Sequence, residues 1–369
     1  MAQNGEYTGL LLGEMMSGMG ELGDIMNSDY AKLNLSLYWE PLNVTNILNT
    51  RVGEVGVKMA KSSLRNAALS IDTQVTLGFY SVLAAKEALQ IAKANAASTK
   101  AHLAQARALL AAGNGTRLDV LRWRAKVSND EQQLLQAKVN IRSAKIKLNN
   151  LLGRKLEAPL HLVPPKTVTA QSPPPPKSIQ EPARNHPQLQ LSRLNLKTKK
   201  IEKKKAHAAF LPTLSVSAGY SWQRYLPHED LSSSAGWLGS WSVMVGVKIP
   251  IFDSMSKFYD VQRREREIQK AALEKKDAER RIRQSVRTAD LDVRTAYKKI
   301  RSAKAQVTLA SEAHESAKNQ YSAGAAKTTD VLEAQNSLLQ ARYNLLNARF
   351  SYLMALARRR QAVGLTSHR

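Results

Sequence analysis

Along most of the chain apolar residues recur every three or four positions; in three short stretches they recur every second position. The first pattern predicts helices and the second predicts strands, because a helix repeats its face every 3.6 residues and a strand every two. Val331, Ala334, Leu338, Ala341, Leu345, Ala348, Tyr352 and Ala355 step alternately by three and four, as do Leu134, Ala137, Ile141, Ala144 and Leu148. A mean spacing of 3.5 predicts helices that wind around neighbours, and the alanines permit close approach. Ahead of each seam runs another helical tract, about 44–112 and 255–323. Each is 69 residues, on the order of 100 Å at ~1.5 Å per residue.

The alternating stretches predict strands at 33–42, 213–225 and 241–251. Leu33, Leu35, Leu37 and Trp39 alternate with Asn34, Ser36 and Tyr38; Leu214, Val216, Ala218, Tyr220 and Trp222 alternate with Ser215, Ser217, Gly219 and Ser221. In the third stretch Trp241, Val243, Val245, Val247, Ile249 and Ile251 alternate with Ser242, Met244, Gly246 and Lys248. An ordinary half-buried sheet has the same alternation. Two features point to a membrane instead. Each stretch is close to the ~10 residues that cross a bilayer when tilted. Four of the five Trp residues, with Tyr220 and Tyr225, lie in or beside these stretches, as an interfacial aromatic girdle requires. Pro227 to Ser240 is the expected exposed hairpin loop, and closing a barrel would take several chains.

Proline and glycine punctuate these elements. No proline falls between Leu42 and Ala158 or between Ile251 and Arg369, whereas eight of the thirteen fall between Pro159 and Pro182. A proline inside a helix costs about 3 kcal/mol, so the two free tracts can be long helices and 159–185 is an extended connector. The flanking parts repeat each other. Gly113-Asn-Gly-Thr-Arg-Leu-Asp119-Val120-Leu121 matches Gly324-Ala-Ala-Lys-Thr-Thr-Asp330-Val331-Leu332 at an offset of 211, and the same offset pairs Gly153 with Gly364. Gly113 and Gly324 are expected to end one helix in a left-handed conformation, with Thr116 or Thr328 capping the next. The organisation is a partial first repeat at 1–158 (helices about 44–112 and 117–152), the connector, and a second repeat at 186–364. The second repeat carries helices at about 186–209, 255–323 and 328–362.

A duplicated long helix, glycine turn, Asp-Val-Leu motif, heptad helix and closing glycine, arranged around a strand pair, resembles the TolC-like outer-membrane efflux protein family from about Lys32 to Gly364. The resemblance implies a mainly α chain with a few β-strands, two structural repeats and long coiled-coil helical hairpins, assembled as a trimeric α/β-barrel conduit. It implies the channel component of a tripartite efflux or type I secretion system in a Gram-negative outer membrane. Such a duct is passive, binds no cofactor, and works as a homotrimer with a periplasmic adaptor (membrane fusion protein) and an inner-membrane pump. Asp330 and Glu333 fall at the family's pore constriction; a trimer would ring the entrance with six carboxylates, which attract cations and reject anions. The alternative role for Asp330 is to stabilise a helix N-terminus through the dipole. Asp119, Tyr321 and Lys327 fall near the contacts that keep the entrance shut, although Ala326 holds the place of the family's basic residue and Arg122 replaces the second acid in the first repeat. Gly113 and Gly324 would be the hairpin tips that meet the adaptor. Trp39, Tyr220, Trp222 and Trp241 would form the aromatic girdle against outer-membrane lipid. The family's leading helix and first strand would precede Met1, leaving Met1 to Tyr30 as a loop of an N-terminally truncated chain that could not close a twelve-strand trimer.

Charge opens other readings. With 55 Lys and Arg against 30 Asp and Glu the chain carries +25, and Lys197 to Lys205 alone holds six Lys and one Glu. A soluble basic coiled-coil scaffold or a nucleic-acid-binding protein fits that charge. Against nucleic acid, the basic residues are spread along helix faces with no aromatics interleaved for base stacking. An enzyme is not indicated. There is no Cys, no P-loop and no His-Glu-x-x-His, and the seven His are scattered, with His102 and His314 expected as polar helix-face residues. Gly18-Met-Gly-Glu-Leu-Gly23 matches a dinucleotide fingerprint in letters only, since no strand precedes it.

Overall fold

The computed structural model describes residues 30–163, 185–225, 237–252 and 255–366. The expected loop before Tyr30, most of the proline-rich connector and the centre of the β-hairpin loop lie outside them. The element order is β1 (Tyr30–Leu42), α1 (Val44–Ala111), α2 (Arg117–Leu151), α3 (Pro187–Ala208), β2 (Thr213–Tyr225), β3 (Leu238–Lys248), α4 (Ser256–Ser322) and α5 (Thr328–Val363). The chain divides into two units: one holds the residues up to Glu54 with Thr198–Ile268, the other Val55–Lys197 with Gln269 onward.

The first unit contains an antiparallel sheet in the order β1-β2-β3. Its register puts Leu35, Tyr220 and Trp241 side by side, and likewise Trp39, Val216 and Val245. Cross-strand partners share a face, so the alternating apolar residues of all three strands form one apolar face. That face is exposed, with Leu35 at 67%, Val245 at 67% and Trp241 at 76%. Leu214 to Trp222 is nine residues, about 26 Å along the strand from first to last, close to the ~25 Å apolar band of a membrane barrel. Trp39 lies toward the helix-bearing end, while Tyr220, Trp222 and Trp241 lie toward the hairpin end, the first two with rings 4.2 Å apart.

Two strand boundaries differ from expectation. β3 begins at Leu238 rather than 241, because Leu238 to Ser240 pair with Gln223 to Ser221, and the Ser221 and Ser240 hydroxyls meet at 2.7 Å. It ends at Lys248, before Pro250, which has no N–H for the ladder. β1 starts at Tyr30, and its register slips between Trp39 and Leu42, where Pro41 sits in a bulge. All three attached helices leave from one end of the sheet: α1 follows β1, α3 precedes β2 and α4 follows β3.

In the second unit helices pack along alanine-rich seams. On α4, Ile282, Val286, Ala289, Val293, Ala296, Ile300 and Ala303 are all buried at steps of four and three. The stretch from Val293 packs against Ala348, Tyr352 and Ala355 of α5. Another face of α5, at Leu346 and Phe350, packs against Leu83 of α1. Each buried Val, Leu or Phe contributes about 1.5–3 kcal/mol. α2 is buried on a single stripe: Ala137 and Leu148 are buried, Leu134, Ile141 and Ala144 half-buried. Leu118, Leu121, Leu135 and Val139 on its other side are exposed.

Candidate functional site

Two turns of matching geometry join α1 to α2 and α4 to α5. Gly113 has φ +77° and Gly324 +76°, the left-handed conformation that glycine adopts without steric cost. The N–H of Asn114 donates to the Leu109 carbonyl at 2.9 Å and that of Gly113 to Leu110 at 3.1 Å. Ala325 to Gln320 at 2.8 Å and Gly324 to Tyr321 at 3.1 Å repeat the pair. These bonds satisfy carbonyls that a helix end leaves open. No atom lies within 4 Å of where a Cβ would stand at either glycine, so backbone angle alone demands them.

The helices that follow are capped by carboxylates. At α2 the Thr116 N–H donates to Asp119 Oδ2 at 3.3 Å and the Asp119 N–H to Thr116 Oγ1 at 3.2 Å. At α5 the Lys327 N–H donates to Asp330 Oδ2 at 3.0 Å. The cap of α5 is therefore Lys327, not the expected Thr328. Thr328 is the first residue of the helix and is buried, its hydroxyl 3.4 Å from the Tyr321 hydroxyl. The same threonine lies near enough to the Asp119 carboxylate to lower its pKa. Burial raises the pKa of Asp119, but the bonds from Thr116, the nearness of Thr328 and the charge of Arg122 outweigh it and hold the carboxyl below its ordinary range.

Asp330 has Oδ2 engaged at the cap and Oδ1 accepting from Thr329. One turn on, exposed Glu333 lines a groove of about 1070 Å³ with Arg122, Thr329, Asn336 and Gln340. Asp330 is not among its lining residues. Tyr321 is buried beneath the turn with Leu103, Ala106, Trp123 and Val331. It meets Asp119 through Thr328, whereas Lys327 enters through its backbone and its residue is otherwise exposed.

His102 is not the expected helix-face residue. It is buried, stacked on Trp123 with centroids 4.7 Å apart, and edge-on to His314 at 5.9 Å. Burial lowers both imidazole pKa values. The charges of His314 and Lys318 lower His102 further, opposed by Gln105, and those of Lys318 and Arg342 lower His314, opposed by Glu315.

A polar layer joins α1, α2 and α5 one turn along α1 from His102. Thr99 of α1 donates to Asp130 Oδ2 of α2 at 2.6 Å, and Lys126 reaches Asp130 Oδ1 at 2.8 Å. Gln335 of α5 donates to Asn95 Oδ1 at 3.0 Å and Thr99 Oγ1 at 2.8 Å. Asp130 is 1% exposed. The pattern of apolar residues gave no notice of this layer; its one sequence signal is the i, i+4 spacing of Lys126 and Asp130. Among the described residues there is no cluster of three metal-binding side chains, and no helix is long and apolar enough to cross a membrane.

The family model for outer membrane efflux proteins matches residues 24–154 and 178–365. The chain belongs to that family. Its place is accordingly the outer membrane. The outer membrane efflux protein BepC of Brucella suis is 22% identical over 288 residues, covering 78% of this chain and 62% of BepC. The chain thus spans less than two thirds of that relative's length. The structures of VceC from Vibrio cholerae and of the MtrE outer membrane channel of Neisseria gonorrhoeae share the fold, each at 17% identity. VceC superposes with a TM-score of 0.75 over 91% of this chain and 80% of its own. MtrE does so with 0.74 over 98% and 86%. These likenesses bear on fold alone.

Proposed function

We propose that this efflux-family chain is one protomer of a passive export duct. Three copies would contribute strands to one β-barrel in the outer membrane and helices to a periplasmic tunnel. The observation that carries the reading is the sheet: one exposed apolar face of bilayer height, aromatic residues toward both ends, and outer edges of β1 and β3 unpaired among the described residues. In lipid such edges must find partners, and further copies of the chain supply them. The exposed apolar stripe of α2 suits the same assembly, since heptad seams are built to face other helices. The two matching turns, 211 residues apart, support a tandem duplication of the helical hairpin. A periplasmic adaptor would meet the hairpin tips at Gly113 and Gly324, and an inner-membrane pump would supply the energy.

At the entrance Asp330 and Glu333 would form the carboxylate ring. Capping a helix does not remove the charge of Asp330, so both groups contribute to a field that favours cations. The test is planar-bilayer conductance of the assembled protein. Asp330→Ala with Glu333→Ala is expected to raise conductance and move cation preference towards non-selectivity. Glu333→Gln, which spares the α5 cap, should move selectivity the same way by less. Conductance and selectivity unchanged in both variants would contradict the constriction.

A further inference from the structure

Where the helices join the sheet, apolar and basic side chains lie in successive bands. Phe210, Leu211, Ile249, Ile251, Phe252 and Phe258 are exposed, Ile251 at 93% and Phe252 at 83%. In sequence they follow Lys248 or precede Thr213, at the end of the sheet that carries the helices. Next to them on α3, Lys200, Lys204 and His207 are exposed at steps of four and three, one stripe of a helix that ends at Ala208, three residues before Leu211. The opposite side of α3 is occupied. Ile201, Ala206 and Ala208 are buried, Lys199 pairs with Glu267 at 3.2 Å and Lys203 with Glu265 at 2.5 Å. Residues 198–208 and 255–268 hold nine Lys and Arg against four carboxylates. All four of those, Glu202, Asp260, Glu265 and Glu267, are paired with Lys199, Lys203, Arg263 or Arg264. The stripe therefore faces outward with its charge unneutralised by these acids.

We propose that this stripe binds the phosphate headgroups of anionic phospholipid in the leaflet from which the helices emerge. The inference rests on the sheet spanning the membrane. Lys204 lies four residues before the end of α3, about 6 Å along its axis, and Lys200 about 12 Å. The headgroup zone is about 5–8 Å deep, which takes in Lys204, and Lys200 lies within a further Debye length of about 8 Å beyond it. A free anion would satisfy the lysines but leave Ile251 and Phe252 in water; a lipid satisfies both bands.

The test uses the full chain in neutral detergent, titrated with phosphatidylglycerol or phosphatidylcholine of identical acyl chains, with bound lipid counted by native mass spectrometry. Each lysine near an anionic surface is worth about fivefold in binding. Wild type should prefer phosphatidylglycerol, and Lys200→Gln with Lys204→Gln should cut that preference about 25-fold. Inorganic phosphate should not displace the lipid. Equal retention of the two lipids by wild type, an unchanged preference in the variant, or displacement by phosphate (a free-anion site, as on a tunnel wall) would each overturn the proposal. Insertion into vesicles separates the levels. A wild-type protein that enters neither lipid overturns the membrane reading as well; one that enters both, with no effect of the variant, overturns this inference alone.

Discussion

Asp119 and Asp330 stand at equal distances into their helices and accept the same backbone bond, yet their surroundings differ. Asp119 also takes the hydroxyl of Thr116 at 2.6 Å. It therefore caps its own helix and lies near Thr328 of the other turn, a contact that can tie the two hairpins. Its lowered pKa sets the sign of its contribution: the stabilisation is present above the unfolded carboxylate value and is lost as pH falls through the folded one. Asp119→Ala is expected to cost about 1 kcal/mol through the lost cap, seen as a lower denaturation midpoint in detergent. In a channel-bearing cell it should also loosen the closed state and raise antibiotic leakage. A midpoint and leakage equal to wild type would argue that the tie has no weight.

Among the elements, the layer of Asn95, Thr99, Lys126, Asp130 and Gln335 carries the largest expected single-site effect. Asp130→Ala would leave half-buried Lys126 without its partner and Thr99 without its acceptor, a loss of about 3 kcal/mol. Lys126→Met with Asp130→Leu should recover most of it, because replacing a whole buried pair by apolar groups is close to neutral. Thermal unfolding of the two variants decides this; equal loss in both would mean that the pair stabilises more than its apolar substitute. Helices, strands and turns were legible because each leaves a periodic trace: the Val331 to Ala355 seam, the alternation after Thr213, the glycines at 113 and 324. The α4 seam from Ile282 to Ala303 was equally open to reading. The polar layer was hidden because it depends on which helices lie beside one another, and periodicity names a buried face without naming its neighbour. The same limit placed His102 on a solvated face, although its partner Trp123 is in another helix. The chemistry of Asp330 was foreseen only as alternatives: the helix cap is visible in its bonds, while a constriction needs neighbouring copies.

For the molecule as a whole, His102 and His314 give stability a pH dependence. Both are held neutral by burial, with Lys318 and Arg342 disfavouring a proton and Glu315 opposing them. The unfolded chain takes up protons below about pH 6.5, the folded chain only at lower pH. Stability is thus full above the unfolded value and falls as pH drops through it towards the folded values. The thermal midpoint is expected to decline between about pH 7.5 and pH 5.5, with His314→Gln flattening the decline. A midpoint flat across that range would show that the two rings do not couple protonation to folding. The sheet carries a different consequence. A newly made copy on its own has backbone donors and acceptors along both borders of the ribbon and a greasy side that water penalises. On the proposed assembly such a copy is a hazard until others flank it, so insertion and oligomerisation should be a single event, with each copy escorted until its companions arrive.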